Sequence, residues 1–132
     1  MLQLLNMTHE EARKLIEVYG RAWESKDVEL ITTIFTGDAI YNDPVEPENI
    51  GIEAIRNYWQ TKVVEGQEDI KFEIKNVWVD GETVIAEWHA TFKDIKRQLY
   101  VDMMETSIFT TKDGKFDSLR EYYKDIKTPI NY

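Results

Sequence analysis

The feature that most constrains the fold is the long alternation of apolar and polar residues in the second half of the chain. From Ile70 to about Lys124 the apolar residues recur with the period of two that β-strands produce. Two hairpin turn signals, Asp80-Gly81 and Asp113-Gly114, interrupt this stretch. Long strands that follow one another through short turns pair as antiparallel neighbours. The second half is therefore predicted to form one antiparallel sheet of four long strands.

Three amphipathic helices are predicted to precede the sheet. The first begins at the capping box Thr8-His9-Glu10-Glu11 and runs to about Ser25. Asp27 caps a shorter second helix, which is expected to end at Thr36-Gly37-Asp38. Gly51 begins the third. Apolar residues recur at three- and four-residue spacing in each, so each helix has one face to bury.

Length and composition indicate a single globular α+β domain over residues 1–132. Apolar residues make up 42% of the chain and charged residues 31%, proportions that fit neither a disordered nor a membrane-spanning protein. The absence of cysteine excludes thiol nucleophiles, disulfides and thiolate metal sites. The two histidines lack metal-ligand spacing. We therefore expect no metal and no cofactor, and a location in the cytoplasm.

The net charge of −9 limits the possible partners of the protein, because the acidic residues are spread along the whole chain. Nucleic acids and anionic membranes are bound by clusters of Lys and Arg that replace counterions. Neither nucleic acid nor membrane is therefore expected as a partner.

Asp43 is the strongest candidate for a functional residue. It ends a short predicted strand, residues 39–43, and shares strand parity with Tyr41, so both side chains are expected to face the space under the sheet. Burial in an apolar cavity would raise the pKa of this carboxyl, which suits a general base near neutral pH. The alternative is a turn-forming role, in which the carboxylate accepts backbone amides around Pro44.

The order of these elements resembles a known superfamily, on residues distributed over nearly the whole chain. The matching residues are Tyr19, Ala22-Trp23, Asp27, Phe35-Thr36-Gly37-Asp38-Ala39, Asp43-Pro44, Gly51-Ile52-Glu53-Ala54-Ile55-Arg56, Asp113-Gly114-Lys115 and Arg120-Glu121-Tyr122-Tyr123. The chain is similar to the nuclear transport factor 2-like superfamily, in its SnoaL-like and ketosteroid isomerase-like branch. The resemblance implies a cystatin-like fold, in which a cone-shaped, curved antiparallel sheet wraps around three N-terminal helices and encloses a hydrophobic cavity. Its members include isomerases, cyclases, hydrolases, dehydratases and non-catalytic binders.

The resemblance to ketosteroid isomerase implies roles for three residues. In that enzyme a tyrosine on the first helix stabilises an oxyanion and an aspartate before a proline is the base; Tyr19 and Asp43 occupy these motif positions. Its third partner is an aspartic acid kept neutral by an apolar site. Counting back from the last turn places Thr106 there, a weaker hydrogen-bond donor than a carboxylic acid.

The limonene epoxide hydrolase branch resembles the chain at other residues. Tyr41 and Asp43 fall where that enzyme holds its water, and Glu121 falls where it has an aspartate. Its paired Arg and Asp on the second long strand would fall on Trp88 and Ala90, so a proton donor for the epoxide oxygen is missing.

Strand parity predicts which other polar residues face the cavity. Glu121 shares parity with the last strand's inward residues and is expected inside, unless a bulge reverses it and leaves it as a solvated strand residue. Asp102 shares parity with Thr106 and is a further inward candidate, whereas His89 is expected on the outer face. The residues predicted to bind a ligand are Trp23, Phe35, Tyr41, Tyr58, Trp59, Trp88, Asp102, Met104 and Tyr123.

These features predict a small-molecule enzyme that uses acid/base chemistry without a cofactor, as an isomerase or polyketide cyclase does, on a cyclic hydrophobic substrate. Asp43, Tyr19, Glu121 and Thr106 are its predicted catalytic residues. The alternative is a non-catalytic ligand-binding or interaction domain of the same fold. A homodimer is also expected, paired through an apolar outer sheet face. The residues predicted to form that face are Val77, Val79, Ile85, Val101, Met103 and Phe109.

Overall fold

The computed structural model describes residues 6–130, which form three α-helices and six strands. A π-helical segment, Gln60–Val64, continues the third helix. No helix in this range is long and apolar enough to cross a membrane. The helices are α1 (His9–Ser25), α2 (Val28–Thr32) and α3 (Ile52–Trp59), and the strands are β1 (Phe35–Asn42), β2 (Asn49–Ile50), β3 (Gln67–Asp80), β4 (Thr83–Asp94), β5 (Leu99–Lys112) and β6 (Lys115–Pro129).

The strands form one curved sheet in the order β2-β1-β6-β5-β4-β3. Every pairing is antiparallel except that of β1 with β6, which is parallel. The helices cover one face, which we call the inner face, and α1 packs mainly against β3. The predicted α+β architecture with a curved sheet around N-terminal helices is therefore confirmed, with a mixed sheet in place of a purely antiparallel one.

The first helix forms as its sequence predicts. The Thr8 hydroxyl accepts from the Glu11 amide, and the Glu11 carboxylate accepts from the Thr8 amide, so the capping box is complete. Lys26 adopts the left-handed conformation that ends the helix. One stripe of α1 is buried against the sheet: Ala12, Ile16, Tyr19, Gly20, Ala22 and Trp23.

The second helix is shorter than predicted, because it ends at Thr32 and not at residues 36–38. The chain has already entered β1 at Phe35, which lies opposite Phe116 of β6. The Phe116 amide donates to the Ile34 carbonyl at 2.8 Å. Pairing with a strand from the far end of the chain thus converts residues of helical spacing into a strand.

Strand β4 has the predicted orientation: Ala86, Trp88, Ala90 and Phe92 are buried on the inner face, and His89 faces outward. Strand β5 has the opposite orientation from the one predicted. Asp102, Met104 and Thr106 lie on the outer face, and the buried inner residues of β5 are Val101, Met103, Glu105, Ser107 and Phe109.

The reason for this correction is that both faces of β5 carry apolar residues, so alternation alone does not select one of them. Pairing with β4 determines which face of β5 is buried. Glu105 lies directly opposite Trp88, and opposed residues share a sheet face, so an inward Trp88 requires an inward Glu105. A bulge at Lys75 likewise turns Val77 and Val79 inward. Only Ile85 of the predicted outer apolar set remains on the outer face.

Candidate active site

A cavity of about 440 Å³ lies between the inner face of the sheet and the helices. Its volume suits a small organic molecule. Aromatic and aliphatic side chains form its inner walls, and more exposed residues such as Val45 and Lys127 surround the mouth. The lining residues are Tyr19, Trp23, Tyr41, Asp43, Val45, Glu46, Tyr58, Trp59, Lys62, Val63, Gln67, Phe92, Arg97, Val101, Met103, Glu105, Glu121, Tyr123, Asp125 and Lys127.

Two glutamates meet inside the cavity, and we call them the carboxyl pair. Glu105 on β5 is 3% exposed and Glu121 on β6 is 7% exposed. Glu121 lies opposite Ser107, two residues from Glu105, so the two side chains are diagonal neighbours on the inner face. The two carboxyls are close enough for each to alter the pKa of the other, and the Ser107 hydroxyl donates to Glu105 Oε2 at 2.7 Å.

The carboxyl pair holds protons more tightly than exposed glutamates do. Burial raises the pKa of Glu105 to about 7, although hydrogen bonds from Glu121 and Ser107 act in the opposite direction. Burial also raises the pKa of Glu121 well above its ordinary range, and the neighbouring charge of Glu105 raises it further. Two adjacent carboxylates in a poorly solvated site repel each other, so the pair retains at least one proton at neutral pH. Glu121 is the member that carries it.

Two tyrosines adjoin the protonated member of the pair. The hydroxyls of Tyr19 on α1 and Tyr41 on β1 each lie 3.3 Å from Glu121 Oε2 and 2.9 Å from one another. Burial, followed by the charge of Glu121, raises the pKa of both phenols well above the ordinary value. Both therefore stay neutral and remain hydrogen-bond donors.

Asp43 lies nearer the mouth, and its side chain both lines the cavity and makes the turn contact that its sequence suggested. It lines the cavity and is 3% exposed. Its Oδ1 accepts the Val45 amide at 3.0 Å, which is the turn-forming contact, and lies 3.5 Å from the Tyr123 hydroxyl. Its Oδ2 accepts the Tyr58 hydroxyl at 2.5 Å and lies 3.5 Å from Lys62 Nζ. We call Asp43, Tyr58, Lys62 and Tyr123 the Asp43 cluster.

The structure brings most of the predicted site residues together. Asp43, Tyr19 and Glu121 all line the cavity, as do the predicted ligand-binding residues Trp23, Tyr41, Tyr58, Trp59 and Tyr123.

Five predicted site residues lie elsewhere. Phe35 and Trp88 are buried in the packed core and do not line the cavity. Thr106, Asp102 and Met104 were predicted inside and lie on the outer face, where Asp102 Oδ1 is 2.7 Å from His89 Nε2. Their misplacement follows from the reversed face of β5, so Thr106 cannot share an oxyanion with Tyr19.

Glu105 is a candidate site residue that the sequence reasoning missed. The signal that could have found it is the register of the β4–β5 hairpin, which places Glu105 opposite the inward Trp88. Within residues 6–130 no group of three or more His, Asp or Glu side chains is arranged to hold a metal ion.

Comparison with known proteins gives a family match. The model of the SnoaL-like domain family matches residues 16–119, which is most of the chain. No curated protein sequence matches significantly.

Solved structures share the fold at low sequence identity. SalBIII, an epoxide hydrolase/cyclase-like enzyme of pyran ring formation in the polyether salinomycin, is 25% identical, covers 89% of this chain and 94% of its own, and has a TM-score of 0.75. An LEH-like epoxide hydrolase of M. tuberculosis is 17% identical over 88% of this chain and 84% of its own, with a TM-score of 0.73. A Catenulispora acidiphila protein of ketosteroid isomerase-like fold is 17% identical over 84% and 85%, with a TM-score of 0.76.

Proposed function

The chain belongs to the SnoaL-like domain family, and on that premise we propose that it is a cofactor-independent acid/base enzyme of the cytoplasm. The proposed reaction is of the isomerase or cyclase type, on a cyclic hydrophobic small molecule. The observation that carries the proposal is the carboxyl pair, because a protonated carboxylic acid beside neutral tyrosines inside an apolar cavity is a proton donor held where charge can develop.

The pair would act on an oxygen of the substrate. Protonated Glu121 donates to a carbonyl oxygen, with Tyr19 or Tyr41 donating a second hydrogen bond as negative charge develops. This role belongs to Glu121 and not to Thr106, the residue that the sequence suggested. When the substrate oxygen becomes a carbonyl again, any proton that it took from Glu121 returns to Glu121, so the pair regains its starting state after each turnover. The neighbouring charge of Glu105 favours this return, because it raises the pKa of Glu121.

A base at the other side of the cavity would complete the reaction. Asp43 is buried, faces the cavity, and is held by Tyr58 and the Val45 amide in one position. Asp43 would remove a proton from the carbon beside the carbonyl and form an enolate that Glu121 stabilises. If Asp43 returns the proton to another carbon, the product is an isomer. If the enolate carbon instead attacks a second carbonyl, a ring forms and the resulting alkoxide takes the proton from Asp43. Neither reaction consumes a co-reactant.

Epoxide opening is a second candidate, which one specific observation favours. The paired Arg and Asp of limonene epoxide hydrolase fall on Trp88 and Ala90, but Glu105 lies directly opposite Trp88 and brings a carboxyl to the same part of the cavity. Glu121 would protonate the epoxide oxygen as its C–O bond breaks, while Asp43 takes the proton from an attacking water or hydroxyl. SalBIII, described as an epoxide hydrolase/cyclase-like enzyme, supports this candidate.

The test compares both reactions in the same variants. Exchange of the protons beside the carbonyl of cyclic ketones is followed by NMR in heavy water, and hydrolysis of aryl epoxides is followed by chromatography. Glu121→Gln and Asp43→Asn should each lower the active reaction by about 10²- to 10⁴-fold. Glu82→Gln, a change of an exposed turn residue, should leave it unchanged. Tight binding of these compounds with neither reaction would favour the non-catalytic ligand-binding domain instead.

We also propose a homodimer that pairs through the outer face. This face carries several large exposed apolar residues, although they are not the ones that the sequence suggested. Monomeric soluble proteins rarely expose so many large apolar side chains on one sheet face, so a partner is expected to cover them. The residues, with their exposed fractions, are Trp78 (49%), Tyr100 (39%), Met104 (42%), Tyr122 (52%) and Ile126 (65%).

A further inference from the structure

A second polar position lies toward the opposite end of the cavity from the carboxyl pair. Gln67, the first residue of β3, lines the cavity and is 6% exposed. Its Oε1 accepts a hydrogen bond of 2.7 Å from Trp23 Nε1. An indole N–H can only donate, so this contact fixes the amide with its oxygen toward Trp23 and its NH₂ group on the other side.

The NH₂ group of Gln67 has no hydrogen-bond partner among residues 6–130. The backbone around it is held firmly, because the Gln67 carbonyl accepts from Lys26 Nζ at 2.7 Å and Gln67 pairs with Asp94. The amide nitrogen is not among the fully buried atoms that lack a partner, so it is open to solvent or to a ligand in the cavity that Gln67 lines. The geometry therefore leaves one donor, fixed in direction, in contact with the cavity.

We propose that Gln67 is a specificity-determining residue that donates a hydrogen bond to an acceptor oxygen, a carbonyl or an ether, at the far end of the ligand. The inference rests on the proposed function in one respect, since that function assigns the near end of the ligand to the carboxyl pair. Between the two ends one wall of the cavity is apolar, whereas Asp125 and Lys127 of β6 lie opposite Met103 and Val101 and line the cavity as well. The apolar wall favours a hydrophobic middle of the ligand, and its residues are Trp23, Phe92, Val101 and Met103.

The sheet register gives the approximate length of this ligand. Gln67 lies opposite Asp94 and Glu105 lies opposite Trp88, and these two β4 residues are six positions apart. At about 3.3 Å per residue the two backbone positions are about 20 Å apart along the strand, and a ligand that bridges the two side chains is shorter than this. The ligand class is thus an elongated apolar molecule with an oxygen at each end.

Two inert probes test this assignment by binding alone. One is 4-acetyl-4′-hydroxybiphenyl, and the other is 4-isopropyl-4′-hydroxybiphenyl, which has the same shape but no acceptor oxygen at that end. The wild-type protein should bind the acetyl probe about threefold to tenfold more tightly, which is the usual contribution of a neutral hydrogen bond. The Gln67→Leu variant has a side chain of similar size without a donor, so it should bind the two probes with about equal affinity. Trp23→Phe should reduce the preference without abolishing it, because the amide can then rotate.

Gln60→Leu is the matched control, because Gln60 is exposed and does not line the cavity; it should keep the wild-type preference. If Gln67→Leu does not fold, Gln67→Glu replaces it and should also lose the preference for the acetyl probe. Equal binding of both probes by the wild type, an equal loss for both in Gln67→Leu, or no binding of either probe would overturn the proposal. Failure of the enzymatic proposal would appear as absent turnover and would leave these binding ratios unchanged.

Discussion

Replacing Glu105 with glutamine should remove a large part of the pH dependence of the protein's stability. Glutamine has nearly the same shape and can still accept from Ser107, but it does not ionise. Burial raises the pKa of Glu105 from 4.5 to about 7 in the folded protein, whereas in the unfolded chain the carboxyl is solvated and ionises at its ordinary value. The unfolded state therefore releases this proton at a lower pH than the folded state.

The sign and size of the effect follow from this difference. Between pH 4.5 and about 7, ionisation stabilises only the unfolded chain, so the contribution of Glu105 to stability falls as the pH rises and is constant above that window. At about 1.4 kcal/mol per pH unit, the loss amounts to about 3 kcal/mol. Since the Glu105→Gln variant would have no such loss, its free energy of unfolding relative to wild type should increase by about 3 kcal/mol from pH 4.5 to about pH 8.

Urea unfolding at a series of pH values measures this difference, because the groups outside the carboxyl pair are common to both proteins and burial, the largest cause, still raises the pKa of Glu121 in the variant. Glu82→Gln serves as the control, since Glu82 is exposed in the β3–β4 turn; its stability relative to wild type should stay flat across the series. A stability difference between Glu105→Gln and wild type that also stays flat, within about 0.5 kcal/mol, would refute the claim that Glu105 is buried with a raised pKa.

Three further predictions concern the rest of the site and the outer face. Asp43→Asn should lower the free energy of unfolding by about 1–3 kcal/mol in urea, because it weakens the acceptors of the Val45 amide and of Tyr58; an increase would mean that the turn contact contributes nothing. Tyr19→Phe should keep the fold by circular dichroism and slow turnover less than Glu121→Gln does, since Tyr41 still adjoins Glu121. Tyr122→Lys should turn a dimer into a monomer by light scattering, whereas Lys96→Glu, in the exposed β4–β5 turn, should not; a monomeric wild type would exclude the dimer.

The elements that were predicted correctly are those whose signals are local. The capping box at Thr8, the stripe on α1 and the alternation on β4 each depend on neighbours within a few residues, and the structure has all three. Periodicity was sufficient for these elements because one face of each is clearly apolar and the other clearly polar.

The errors arose where a distant part of the chain decides the outcome. The parallel partner β6 draws Phe35 into a strand, and the partner β4 sets which face of β5 is buried. Because β5 carries apolar residues on both faces, its own sequence could not show that Glu105 points inward and Thr106 outward. The sequence therefore predicted only one member of the carboxyl pair, Glu121. Prediction of the other member, Glu105, requires the strand register.

The most direct test of the account is to titrate the glutamate side-chain carboxyls by NMR in protein labelled with carbon-13 at that position. Glu105→Gln and Glu121→Gln assign the two signals of the carboxyl pair. The account predicts that one of these carboxyls titrates near pH 7, where the pKa of Glu105 lies, and that the other, Glu121, remains protonated beyond that point. If every glutamate carboxyl is already ionised below about pH 6, the pair holds no proton at neutral pH and the proposed acid is absent.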